Sequence, residues 1–103
     1  MEKTTSVLLK DVLNGTPYSR VILFGSRARG DARNDSDYDI LVVMPHALPM
    51  TDKIKIVLDL QQKFAQRGID ADIIVKSQDE TDYLKDKTGS VVKNALSEGV
   101  LLD

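Results

Sequence analysis

The sequence predicts a small α/β (α+β) domain, a mixed β-sheet of three or four strands flanked by helices. Three short apolar runs, Val21-Ile22-Leu23-Phe24, Ile40 to Met44 and Ile73-Ile74-Val75, have the length and β-branched content of buried strands. They alternate with longer stretches whose apolar residues recur at helical spacing. A chain of 103 residues, 42% apolar and 29% charged, has the size and composition of one folded domain spanning residues 1–103.

Each element follows from local pattern. Glu2 to Leu13 carries Val7, Leu8, Leu9, Val12 and Leu13 as a helical stripe, with Asn14-Gly15 as its stop. Val21 to Phe24 is the first strand and ends abruptly at Gly25. Ser26 to Ser36 is rich in Arg, Gly, Asp and Asn and belongs at the surface, although Ser26 to Arg29 can form a helical turn stopped by Gly30. Asp37 to Met44 is the second strand, acidic at its start and apolar from Ile40. Thr51 is the expected N-cap of a helix reaching about Arg67, with Ile54, Val57, Leu58, Gln61 and Ala65 on its core face and Gly68 beyond its end. Asp70 to Val75 repeats the acidic-then-apolar form as the third strand. A weak helix is expected over Asp79 to Lys85, and a clearer one around Val91, Val92, Ala95 and Leu96, closed by Gly99. The helix between the second and third strands requires them to be parallel, with a right-handed crossover. The first strand must then run antiparallel if its exit is to meet their acidic starts.

Composition narrows the partners. A formal charge of -2 lacks the basic footprint of a protein that grips extended nucleic acid. There are no cysteines, which excludes thiolate metal sites and fits a reducing compartment. No apolar run approaches the ~20 residues of a membrane span, so a cytoplasmic protein is expected.

The chemistry concentrates at the strand starts. Asp37 and Asp39 leave the same face of a strand, with α-carbons roughly 6.5 Å apart, while Tyr38 points the other way. Carboxylates that close repel unless one is protonated or a cation lies between them. A hard divalent ion resolves the conflict, and Mg2+ commonly takes one or two carboxylates together with substrate phosphates. Two ions could share the pair. Asp72, at the start of the next strand, is the expected third carboxylate, able to hold the ion or to take a proton from an incoming hydroxyl. Asp70 competes for that role; Asp72 is preferred because it precedes Ile73 as Asp39 precedes Ile40. Gly25 and Ser26 offer backbone N–H groups and a hydroxyl suited to phosphate oxygens. Arg27, Arg29 and Arg33 add positive charge, with Arg29 the first choice for phosphate contact; the plainer alternative is a loop in which they pair with Asp31 and Asp35.

Gly25-Ser26, ten intervening residues and then Asp37-Tyr38-Asp39-Ile40 resemble the pattern of the DNA polymerase β-like nucleotidyltransferases. The string GSRARGDARNDSDYDI is similar to that of their minimal single-domain members (MNT), and the likeness continues through Ala71 to Val75 and the Glu98-Gly99 tail. Tyr38 departs mildly from the aliphatic residue commoner there. The resemblance implies a nucleotidyltransferase fold, triphosphate binding by Gly25 and Ser26, magnesium at Asp37 and Asp39, and Asp72 as third catalytic and metal-binding carboxylate. It further implies kinship with MNT antitoxins of type VII toxin–antitoxin pairs, which transfer AMP from ATP to a hydroxyl of a HEPN-type toxin. A non-catalytic antitoxin that inhibits by binding, or transfer to RNA or a small molecule, are the other readings. ATP enters through resemblance alone, since no residue pattern reads a base. His46 has no partner His or Cys and is assigned no role. Tyr18 and Tyr83 are too isolated to form a stacking platform. Asp79, Glu80 and Asp82 read as a solvated helix start, and Val100-Leu101-Leu102 as exposed apolar residues open to a partner.

Overall fold

The computed structural model describes residues 3–33 and 37–102. The elements are α1 (Lys3–Leu13), β1 (Arg20–Phe24), α2 (Gly25–Arg29), β2 (Tyr38–Met44), α3 (Met50–Ala65), β3 (Ala71–Ser77), α4 (Gln78–Leu84), α5 (Val91–Glu98) and β4 (Val100–Leu101). The sheet order is β3-β2-β1-β4. β2 and β3 are parallel, while β1 runs antiparallel to both β2 and β4, as the crossover and the acidic strand starts require.

Side-chain alternation divides the sheet into two faces. Ile40, Val42 and Met44 join Val21, Leu23, Ile73 and Val75 in a core closed by Leu9, Val12 and Leu13 of α1 and Leu60 and Phe64 of α3. On the other face Leu41 and Val43 pack with Ile22, Phe24 and Ala95 of α5. Because both faces of β1 and β2 are covered, their sequences are apolar runs rather than alternating patterns.

Several sequence expectations need correction. The N-cap of α3 is Pro49, whose carbonyl accepts from the Asp52 and Lys53 N–H groups at 3.0 and 3.1 Å; Thr51 already lies inside the helix. Proline suits a position that needs no N–H donor. The core face of α3 is rotated from the expected stripe. Leu60 and Phe64 are fully buried and Ile56 and Val57 pack beside them, whereas Ile54 and Leu58 are 51% and 60% exposed and Ala65 is exposed. The helix is apolar over more than half its circumference, and the way it seats against α1 and the sheet turns Phe64 and Leu60 inward, into the cluster with Leu9 and Leu13. The helix ends at Ala65, two residues early, and Gly68 turns the chain in a left-handed conformation at φ 74°. β3 runs on to Ser77 because β2 supplies partners as far as Met44. Of the three apolar tail residues, Val100 and Leu101 are exposed, whereas Leu102 is 3% exposed and belongs to the core. Glu2, in the expected first helix, and Asn34, Asp35 and Ser36, in the expected surface loop, lie outside the described residues.

Glu80 is more than part of a solvated helix start. Ser77 and Glu80 form a reciprocal capping box at the head of α4. Glu80 also accepts from Lys53 Nζ at 2.7 Å, tying α4 to α3. At the far end of the chain, Gly99 ends α5 where a Cβ would collide with the Ala95 carbonyl and the Ile22 side chain.

Two outcomes follow from these contacts. The Lys53 ion pair, and then the Ser77 N–H, hold the Glu80 carboxyl below its ordinary value of 4.5. Its contribution is therefore full above that value and is lost as pH falls through the lower folded-state value. Glu80→Gln should cost about 0.5–1 kcal/mol at neutral pH after solvent screening, and urea denaturation at pH 7 and pH 3 should show the deficit shrinking in acid. Gly99→Ala should destabilise the domain by about 1–3 kcal/mol through overpacking, read as a lower urea midpoint.

Candidate active site

Strand register builds the site. Phe24, the last residue of β1, lies opposite Asp39 of β2, and Asp39 lies directly beside Asp72 of β3. The same register sets Tyr38 beside Ala71, which leaves Asp37 and Asp70 one position outside the paired strands. Asp39 and Asp72 thus share one depth and one face, the equivalence inferred from their positions ahead of Ile40 and Ile73. Asp70 engages this edge through its backbone, accepting from the Tyr38 N–H at 2.9 Å. The Tyr38 ring sits on the opposite face, partly buried against the core, beneath the Arg27 guanidinium at 4.5 Å.

Gly25 is a steric necessity. Its φ of 71° is left-handed, and an added Cβ would run into the Asp39 carboxylate. The chain therefore turns from β1 into α2 directly against Asp39. Gly30 closes α2 at φ 84°, its N–H bonded to the Ser26 carbonyl at 3.0 Å.

The electrostatics are those of crowded carboxylates. Burial, then the negative charges of Asp72 and Asp37, push the Asp39 carboxyl above its ordinary value; Arg29 opposes them and Glu98 adds to them. Arg29 is engaged on two sides. Its Nη1 donates to both oxygens of Glu98 at 3.3 and 3.1 Å, and its Nε donates to Asp31 at 3.3 Å. The pairing with Asp31 considered from sequence is present, and Asp35 lies outside the described residues. Glu98 also accepts from the Gly25 N–H at 3.2 Å. Sequence reasoning gave Glu98 no role at this site; its one local signal is an acidic residue immediately before the glycine that ends α5. His46 is exposed in the loop after β2.

The donor set suits a hard cation. Asp39 and Asp72 offer only carboxylate oxygens, and a divalent ion would offset both the burial of the Asp39 carboxylate and its repulsion by Asp72 and Asp37. Among the described residues no three acidic or imidazole side chains are already gathered into a metal cage. Magnesium typically completes a two-carboxylate site with phosphate oxygens and water.

Comparison with known proteins matches residues 7–102 to the family described as Nucleotidyltransferase domain. The chain belongs to that family. This nucleotidyltransferase domain is 43% identical over 56 residues, 54% of its length, to MJ0141 of Methanocaldococcus jannaschii, which is named as a candidate protein adenylyltransferase. The match spans 52%, about half, of that relative. Among solved structures, a toxin–antitoxin complex with AMP-PNP superimposes with a TM-score of 0.65 at 20% identity, over 95% of this chain and 72% of the other. An MNT antitoxin complex with a tri-AMPylated HEPN toxin from Shewanella oneidensis gives a TM-score of 0.51 at 19% identity, over 97% and 66% of the two chains. At those identities the likeness is one of fold.

Gly25→Ala should displace Asp39 and strain the backbone, costing about 1–3 kcal/mol. A lowered urea midpoint, with amide chemical-shift changes centred on residues 24–26 and 39, is the expected result.

Proposed function

We propose that this domain transfers a nucleoside monophosphate, AMP from ATP, to a hydroxyl of a HEPN-type toxin and thereby serves as the antitoxin of a type VII pair. The reading is carried by the side-by-side register of Asp39 and Asp72 next to the Gly25–Ser26 corner. The fold shared with toxin–antitoxin complexes, one bearing AMP-PNP and one an AMPylated HEPN toxin, supports it. So does the family resemblance of the sequence.

In this reading the acceptor oxygen attacks the α-phosphorus in line, the bond from that phosphorus to the β-phosphate bridging oxygen breaks, and pyrophosphate leaves. Asp72, solvent-facing at the strand start, takes the hydroxyl proton. The Ser26 hydroxyl, the backbone N–H groups of Gly25 and Ser26, and Arg29 hold the β- and γ-phosphates. Asp37 and Asp39, with Asp72, would hold Mg2+. When bound, that ion would neutralise charge developing on the phosphates and lower the pKa of the attacking hydroxyl.

The test is direct. The domain is incubated with its co-purified HEPN-type partner, Mg2+ and each of the four nucleoside triphosphates, and the partner is weighed by intact mass spectrometry. A mass gain of one or more nucleoside monophosphates, greatest with ATP and lost in Asp39→Asn, is expected. Full neutralisation of the partner by Asp39→Asn with no mass gain would instead identify inhibition by occlusion. Labelled nucleotide appearing on RNA or a small molecule, with the protein partner unmodified, would move the acceptor to that class.

A further inference from the structure

We propose that Glu98 is a displaceable internal ligand of the phosphate-binding groups: its carboxylate holds Arg29 and the Gly25 N–H and releases them to the polyphosphate, so that it sets triphosphate affinity. This deepens, and rests on, the triphosphate reading above.

The geometry supplies the argument. Two donors assigned to phosphate, Arg29 Nη1 and the Gly25 N–H, converge on one carboxylate from a different element. A carboxylate and a phosphate offer such donors the same anionic oxygens, so the two ligands compete for one set of hydrogen bonds. The three contacts are long, at 3.1–3.3 Å, and the Arg29 and Glu98 side chains are 47% and 32% exposed. A pair so placed is weak and readily exchanged. Arg29 keeps its Asp31 contact through Nε, which leaves the Nη1 edge as the one contested by Glu98.

The backbone at Glu98 is anchored by contacts separate from those of its carboxylate. The Gly99 N–H bonds the Ala95 carbonyl at 2.8 Å, Gly99 is wedged against Ile22, and Val100 pairs with Leu23 of β1. Release therefore needs only a rotation of the side chain, with α5 staying in place. The site already carries Asp37, Asp39 and Asp72, and Glu98 adds a fourth negative charge on the side from which a polyanion would contact Arg29. Removal of that charge should favour the nucleotide.

Mg-ATP affinity, measured by calorimetry without any acceptor, is compared for the wild type, Glu98→Gln, Arg29→Ala and the double variant. Glu98→Gln should bind about fivefold more tightly, the scale of one partly solvated ion pair, and the gain should vanish on the Arg29→Ala background. Unchanged or weaker binding by Glu98→Gln overturns the proposal, and weaker binding would identify Glu98 as a fixed support for Arg29. A second reading needs no variant. On titration of the wild type with Mg-ATP, the Glu98 carboxyl carbon and the Gly25 amide should shift together with one dissociation constant; a stationary Glu98 signal overturns the proposal. Absence of any Mg-ATP binding by the wild type would remove the triphosphate reading itself, whereas binding without the Glu98 effects removes this inference alone.

Discussion

The parallel pairing of β2 with β3 sets Asp39 beside Asp72, and the remainder of the site is arranged around that enforced proximity of like charges. Adjacent strands lie ~4.8 Å apart, and two unit charges at about 5 Å repel by roughly 3 kcal/mol at an effective dielectric of 20, less where water reaches them. Immediately inward, Ile40, Leu41, Val42 and Val43 are each no more than 1% exposed. At about 1.5–3 kcal/mol for each such side chain buried, the apolar run outweighs the repulsion several-fold. Burial first, and then the charges of Asp72 and Asp37, hold the Asp39 carboxyl above its ordinary value.

Around that pair the protein balances charge with contacts from distant parts of the chain. Gly25 lets the backbone turn against Asp39 where any side chain would collide. Glu98, 73 residues further along, reaches the Gly25 N–H and Arg29 because α5 and β4 close back on β1. The tail is thus both a structural clasp, through Gly99 and Leu102, and an electrostatic part of the site. The opposite side of the acidic edge is stiffened differently. Tyr38 lies under Arg27 and against the core, so the aspartates on either side of it leave from a strand start that is packed from behind.

The fold was largely legible because its strands are short apolar runs bounded by glycine and aspartate, and its one long crossover helix forces a parallel pair. The placement of Asp37, Asp39, Asp72 and Gly25 was legible for the same reason: acidic starts and a glycine exit map onto one sheet edge once strand directions are assigned. The inward face of α3 was not. Ile54, Ile56, Val57, Leu58, Leu60 and Phe64 surround much of that helix, and periodicity cannot choose among overlapping stripes when only contact with Leu9 and Leu13 of α1 and with the sheet decides which is buried.

By itself the sequence determined the order of elements from α1 to α5, though not the short β4 that follows, the antiparallel entry of β1, and the gathering of carboxylates beside a glycine–serine corner, since these follow from local apolar length and chain direction. Tertiary structure alone decided that Glu98 faces Arg29 and Gly25, that Lys53 pairs with Glu80, and that Leu102 is core while Leu101 is not. Such contacts join residues far apart in the chain. Their partners are set by how helices seat on the sheet, a packing outcome that no local pattern encodes.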